Sequence, residues 1–374
     1  MKKKRIIFAV FDDLHHEYRG FKVAKTFSKA GFDVLVIGVR YDDKTVQGWD
    51  NIPFRRIRLS NRLPLSIQMI YFWAILLVHL IFRSADRFYS HDIFPLLSVF
   101  TASVIKRKPY VYDAHEFWHG NSQILNRPLR KIFWTTYEKI FIKQAYRVIT
   151  VSDPIAAELK KIYDLNEVGV FTNLPLRKKI PSDRSLIHKM LNLAPDCKIV
   201  LYQGRFLINN GLDTVIGSFA GVAADAVLVL IGEGSEKEKL KKTAEKNNIS
   251  NRVFFIGPFD HSELIKYTVC ADIGLCLIKN YGKSFYYSTP NKMFEFIQAN
   301  IPQIASDFPE ISKYVRGYNV GYVTDPEDKE KISATIDLLL NSTKITGQLR
   351  KNCQAASKIL IWENIESDLK TFLS

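Results

Sequence analysis

The chain has 374 residues, of which 47% are apolar and 24% charged, with 25 Phe and 17 Tyr. That length exceeds one ordinary α/β core and suits two domains, and the composition excludes a disordered chain. Its four cysteines lack C-x-x-C spacing, which excludes a zinc knuckle and a disulfide scaffold. The formal net charge is +15 and is one-sided: residues 1–185 hold 31 Lys and Arg against 17 Asp and Glu, the remainder 22 against 21. A basic first half of this kind suits an anionic membrane surface, with a general solubility bias as the alternative. Nucleic acid is not expected as a partner, since no zinc-finger, RNA-binding or helix-turn-helix signature accompanies the charge.

Lys2-Lys3-Lys4-Arg5 precedes only about six apolar residues, too short a stretch for a signal peptide. The run Arg5 to Phe11 predicts a buried parallel strand, Asp12 to Gly20 a polar loop, and Phe21 to Phe27 a helix ended by Gly31. With a strand at Asp33 to Gly38, these form a βαβ unit opening a doubly wound sheet. Leu63 to Phe82 carries no Asp, Glu, Lys or Arg and has the length of a membrane span. Pro64, Ser66, Gln68 and His79 and its place inside one domain predict a buried or interface-lying helix instead, with a partly exposed membrane-docking helix as an alternative. Further strands are predicted near residues 87–90, 109–113, 147–151 and 168–171.

Residues 176–194 show little periodicity and read as a linker. A second doubly wound domain follows, with strands at 198–202, 226–232, 252–257, 273–277, 304–306 and 321–323. The expected division is 1–185 for an acceptor-side domain, 186–345 for a nucleotide-sugar domain, and 346–374 for terminal helices packing back toward the first domain. The fold class is α/β, with two facing Rossmann-like domains and a cleft between them that collects both sets of strand-end loops.

Four clusters of residues invite chemistry. Gly232 and Gly234 close a strand before a charged helix, where glycine permits close backbone approach and a helix start offers amides to an anion. Gly204-Arg205 ends another strand, and a guanidinium there suits a diphosphate. Asn291, Lys292 and Glu295 begin a helix, and Glu295, set among apolar residues, needs partners such as ribose hydroxyls. In the first half, Asp113-Ala114-His115-Glu116 ends a strand, so that His115 can meet a sugar hydroxyl or phosphate with Asp113 or Glu116 orienting it. The pair His91-Asp92 is similar but less persuasive. His15 and His16 lack the spacing of a metal site, and no metal is expected.

The order Gly204-Arg205, Asn210-Gly211, Ile231-Gly232-Glu233-Gly234, Arg252 to Gly257, Ala271 to Gly274, Pro290 to Glu295 and Pro302 to Ser306 resembles the family 4 retaining glycosyltransferases of the two-lobed GT-B type. The resemblance implies that the second lobe binds the nucleotide sugar, with Arg205 at the diphosphate and Glu295 on the ribose. It also implies that His115 reaches toward the donor sugar and that no cofactor beyond the donor is needed. The first of the family's paired acids falls at Tyr287 and its lysine at Asn210, so Lys292 and Lys283 are the candidate substitutes. A UDP-sugar is favoured over a GDP-sugar. A saccharide or lipid-linked acceptor of cell-surface polysaccharide or lipopolysaccharide synthesis is expected, at the cytoplasmic face of the membrane. A sugar-nucleotide epimerase and an inactive nucleotide-sugar-binding scaffold are the alternatives left open.

Overall fold

The computed structural model describes residues 3–15, 17–42, 49, 52–121 and 127–373. They form two compact units, Met1–Asn173 with Ile365–Ser374, and Leu174–Asn364. The change of unit thus falls at residue 173, ahead of the stretch read above as a linker.

Among the described residues the first unit holds a seven-stranded parallel sheet in the order β3-β2-β1-β4-β5-β6-β7. Its central strand β1 (Arg5–Asp13) pairs with β2 (Asp33–Arg40) on one side and β4 (Arg87–His91) on the other. Helices cover both faces of such a sheet, so Ile6 to Val10 form an unbroken buried run rather than an alternating one. The strand extends through Asp13, and α1 (Tyr18–Lys29) begins three residues before the expected Phe21. The cause is local: the Glu17 carboxylate accepts the Gly20 amide and caps the helix. β3 (Phe54–Arg58) escaped the sequence reading because it is an edge strand with only Ile57 buried, and its three arginines mask the pattern.

A layer of three helices follows: α2 (Leu65–Ile81), α3 (Leu96–Lys106) and α4 (Pro128–Ile142). α2 buries Met69, Phe72, Leu76 and Leu80, a spacing of three and four residues that defines one face. No helix among the described residues is long and apolar enough to cross a membrane. Strand β5 (Tyr110–Asp113), β6 (Arg147–Thr150), α5 (Asp153–Tyr163) and the short β7 (Gly169–Val170) complete the sheet. The last helix of the chain lies in this unit. Lys29 pairs with Glu366 at 2.8 Å, and Arg147 donates to the Phe372 carbonyl at 3.0 Å.

The second unit begins with α6 (Leu186–Leu191), whose Ile187 is fully buried in the core. This helix lies inside the stretch 176–194 read above as a linker; six residues are too few to display a helical period. The sheet then runs β8 (Lys198–Gln203), β9 (Ala226–Ile231), β10 (Val253–Ile256), β11 (Ile273–Cys276), β12 (Gln303–Ser306) and β13 (Gly321–Thr324). Its order, β10-β9-β8-β11-β12-β13, is all parallel among the described residues. Intervening helices include α7 (Leu212–Phe219), α8 (Lys237–Lys246), α9 (His261–Thr268), α10 (Lys283–Tyr286) and α11 (Asn291–Gln298). In both sheets the chain starts at an inner strand, builds to one edge and then returns to build to the other. That reversal opens a crevice beyond the carboxyl ends of β1 and β4, and of β8 and β11, where open α/β sheets bind ligands.

Candidate active site

In the second unit the turns after β8 and β9 are stitched together by backbone. Gly204 N–H donates to Ile231 O at 2.9 Å and Phe206 N–H to Glu233 O at 2.9 Å. A Cβ on Gly232, whose φ is +147°, would stand 1.9 Å from Gly204 O, and one on Gly234 would stand 2.3 Å from Phe206 O. Both glycines therefore serve the approach of the chain's own 204–206 turn. At the start of α8 the Glu236 and Lys237 amides are taken by Phe206 O and Gly234 O. What this stitching presents is Arg205. Its carbonyl is held by the Tyr202 hydroxyl at 2.9 Å and by Asn210 Nδ2 at 2.7 Å, while its side chain is exposed. Asn210 thus clasps the turn that carries Arg205.

Lys292, in the first turn of α11, projects its Nζ to 4.0 Å from the Tyr202 ring centroid. The Nζ atom is buried and has no hydrogen-bond partner among the described residues. Burial pulls its pKa from 10.5 down to about 8. Nζ also lies 3.7 Å from where a Gly204 Cβ would sit, so an unsatisfied cation stands beside the turn that carries Arg205. Asn291 precedes it, exposed at the first position of α11. Tyr287 closes α10, partly buried, with its ring centroid 5.4 Å from that of Tyr286, and Lys283 opens the same helix on the surface.

Glu295 is clasped from two sides. Gln203 Nε2 donates to its Oε2 at 2.5 Å and His261 Nε2 to its Oε1 at 2.9 Å. Burial opposes its charge, yet His261, Lys178 and Gln203 together hold its pKa below the ordinary carboxylate value. Behind it, Gln203 Oε1 accepts from Thr268 Oγ1 at 2.8 Å, and Lys178 Nζ donates to His261 O at 3.1 Å. Gln203, His261, Thr268 and Lys178 were not anticipated from sequence. Only Gln203 left a trace there, as a polar residue closing an apolar strand. Each oxygen of Glu295 retains a lone pair that can accept a further hydroxyl.

In the first unit, Asp113 at the end of β5 is fully buried. It accepts Arg19 Nε and Nη2 at 2.8 Å each and the Tyr89 hydroxyl at 2.6 Å. The Arg19 guanidinium and His91 hold its carboxyl far below the usual range despite burial, and Arg19 Nη1 continues to Phe171 O at 2.7 Å. His91, closing β4, lies between two carboxylates, Glu17 at 3.1 Å and Asp113 at 3.6 Å. Against the cost of burial these raise its pKa to about 10, and Glu17 falls to about 2. The His115 ring stacks on that imidazolium, with centroids 4.3 Å apart and planes at 27°. Burial, reinforced by the His91 charge, lowers the His115 pKa to about 3, so this imidazole stays neutral. Beside it, Asp113 is engaged by the Arg19 fork, and Glu116 is exposed.

Donor atoms of His91, Asp113 and His115 lie within 4.8 Å of one another. A cation there would compete with the Arg19 fork for Asp113 and face a charged His91, so the cluster is an ion network in character. His15 donates its amide to Asp13 Oδ1 at 3.1 Å, and His16 lies outside the described residues.

Residues 21–173 match the model of Glycosyltransferase Family 4, and residues 183–358 that of Glycosyl transferases group 1. The chitobiosyldiphosphodolichol beta-mannosyltransferase of Candida albicans is 23% identical over 92% of this chain and 83% of its own. Among solved structures, HepE of Anabaena in complex with UDP-glucose superposes with a TM-score of 0.79 at 17% identity, covering 99% of each chain. WaaG, a glycosyltransferase involved in lipopolysaccharide biosynthesis, superposes with a TM-score of 0.72 at 16% identity, covering 97% of this chain and 98% of its own. The two family models between them cover most of the chain and divide it near the change of unit, and each unit carries the doubly wound sheet of such enzymes. The chain therefore belongs to the nucleotide-sugar-dependent glycosyltransferases with two Rossmann-like domains (GT-B), related to family 4 and group 1.

Proposed function

We propose that this enzyme transfers a sugar, with retention of anomeric configuration, from a UDP-sugar to a saccharide or lipid-linked acceptor in cell-surface polysaccharide or lipopolysaccharide synthesis. The observation that carries the reading is the buried ammonium of Lys292, without a hydrogen-bond partner among the described residues, beside the exposed Arg205 at the carboxyl end of β8. Two cations at a Rossmann switch point suit the diphosphate of a nucleotide sugar and the charge that grows on it as it leaves. Lys292 thereby takes the part of the family lysine replaced by Asn210. Glu295, with Asn291 at the helix start, receives the ribose, while Gly204, Gly232 and Gly234 shape the turn that carries Arg205.

In the transfer, the bond from the anomeric carbon to the β-phosphate oxygen breaks and a bond to the acceptor oxygen forms. The acceptor's proton passes to the departing phosphate, so no strong general base is required of the protein. His115, a neutral imidazole, acts as a hydrogen-bonding group for a hydroxyl of the donor sugar. The preference for UDP is supported by HepE, which was solved with UDP-glucose, and a lipid-linked acceptor by the dolichol-linked substrate in the name of the Candida relative. The basic first half supports work at the cytoplasmic face of the cell membrane, on anionic lipid.

The test is a thermal-shift and calorimetric screen of nucleotide sugars and free nucleotides, since a ligand bound only to the folded state raises the melting temperature. UDP and a UDP-sugar are expected to bind and GDP to bind more weakly. Failure of every nucleoside diphosphate to bind would overturn the reading.

A further inference from the structure

The outer faces of α2, α3 and α4 hold the largest exposed apolar side chains of the first unit. On α2, Ile67, Ile70, Tyr71 and Val78 lie opposite the buried face, and Phe82, which caps the helix, is 82% exposed. α4 presents Leu129, at 81%, with Ile132, Phe133 and Ile140, and the last turn of α3 presents Val104 and Ile105. The three helices form one layer. Ser98 Oγ donates to Trp73 O at 2.9 Å, Lys106 Nζ to Arg83 O at 2.7 Å, and the Leu97 amide to the Tyr137 hydroxyl at 2.9 Å. Their exposed residues therefore share one surface, where solvated proteins ordinarily scatter such groups singly.

The charges that α4 leaves unpaired are basic, while Asp86 and Asp164 pair with Lys108 and Lys143 at the ends of α3 and α4. Arg127, Arg130 and Lys139 are exposed on or next to α4 and enter no ion pair among the described residues, while the helix's one acid, Glu138, is buried against the Tyr112 and Tyr163 hydroxyls. From Arg62 to Arg147 the sequence has 12 Lys and Arg against 5 Asp and Glu, of which Asp92, Asp113 and Glu138 are buried. A second copy of the chain seated here by two-fold symmetry would set this basic face against the same basic face. An anionic bilayer instead receives the apolar residues among its acyl chains and the cations among its headgroups.

We propose that the α2–α3–α4 surface is the face by which this enzyme docks on an anionic lipid bilayer, with α2 lying along the interface. The proposal rests on the reading of a membrane-linked acceptor given above and identifies the residues that would make the contact. It is tested on the full chain by flotation with phosphatidylglycerol-containing vesicles and with pure phosphatidylcholine vesicles. One variant combines Ile70→Ser, Phe82→Ser and Leu129→Ser, and a second combines Arg127→Glu, Arg130→Glu and Lys139→Glu. The parent is expected to float with anionic vesicles at low salt and weakly with neutral ones, and both variants to lose anionic binding. The charge variant should lose about fivefold per cation removed. All the changed side chains are exposed, so melting temperature and UDP binding should stay at parental values.

Absence of flotation by the parent, or flotation of both variants equal to the parent's, would overturn the proposal. A concentration-dependent dimer in sedimentation that both variants abolish would reassign the surface to a second copy. Transfer to a water-soluble acceptor analogue separates this from the function: unchanged transfer by variants that no longer float supports docking, whereas transfer to no acceptor by a parent that floats counts against the acceptor reading alone.

Discussion

Replacing Lys292 by Met should make the protein more stable and a worse ligand for nucleotide. The ammonium is buried beside Tyr202 without a hydrogen-bond partner among the described residues, and its pKa drops from 10.5 to about 8 on folding. That shift corresponds to about 3 kcal/mol by which the folded state disfavours the charged form. Met keeps the volume and removes the charge, but forfeits a cation–π contact worth about 0.5–2 kcal/mol. The net expectation is a gain of about 1–2 kcal/mol, or a rise of roughly 2–8 °C in melting temperature for a unit of this size. The pH dependence gives a second reading. The unfolded chain holds this proton more tightly, so the penalty is fully present below pH 8 and is relieved as pH climbs toward 10.5. The parent should therefore gain stability over that interval relative to the variant. With UDP the order reverses: loss of a buried cation facing a diphosphate should weaken binding by at least about tenfold. Melting curves of both proteins from pH 7 to 10.5, with and without UDP, test all three expectations. A variant that melts lower at every pH, or that binds UDP as tightly as the parent, would refute the assignment of this ammonium to the diphosphate.

Arg205→Ala should lower kcat at saturating donor by about a hundredfold, roughly 3 kcal/mol, if its exposed guanidinium stabilises the leaving group; stopped single-turnover transfer measures it. Gln203→Leu should raise the KM for donor while sparing kcat, because it unclasps Glu295 without touching the transferred sugar, and steady-state kinetics would separate the two. In the first unit, His91→Gln should remove the charge beneath His115 and let its pKa rise from about 3, visible as an imidazole titration by NMR. Gly232→Ala should cost stability by more than about 3 kcal/mol, since its Cβ would fall 1.9 Å from Gly204 O at a φ of +147°; chemical denaturation would register it.

Local pattern carried the outline of this protein. The unbroken apolar runs at Ile6 to Val10 and Ala226 to Ile231 announce parallel strands because both faces of such a sheet are covered, and that signal is complete within a few residues. The same holds for the apolar helix at Leu65–Ile81 and for the glycines after Ile231. What escaped is short or shared between distant segments. The edge strand at Phe54–Arg58 has one buried side chain, and the helix at Leu186–Leu191 spans under two turns, so neither shows a period. The contacts of the site are longer-ranged still. Glu295 meets Gln203 across 92 residues and His261 across 34, Asp113 meets Arg19 across 94, and His115 stacks on His91 from a neighbouring strand. Residue types alone named Asp113, His115 and Arg205 as candidates, because a strand end followed by an ionisable group is visible in sequence, and Lys292 and Glu295, because charged groups among the apolar residues of a helix start are visible too. Tertiary structure decided which acid holds which cation, and that Gly232 and Gly234 accommodate the chain's own turn. It also decided that Lys292 is left without a hydrogen-bond partner among the described residues, because pairing and burial depend on neighbours that only the folded sheet brings within hydrogen-bond distance.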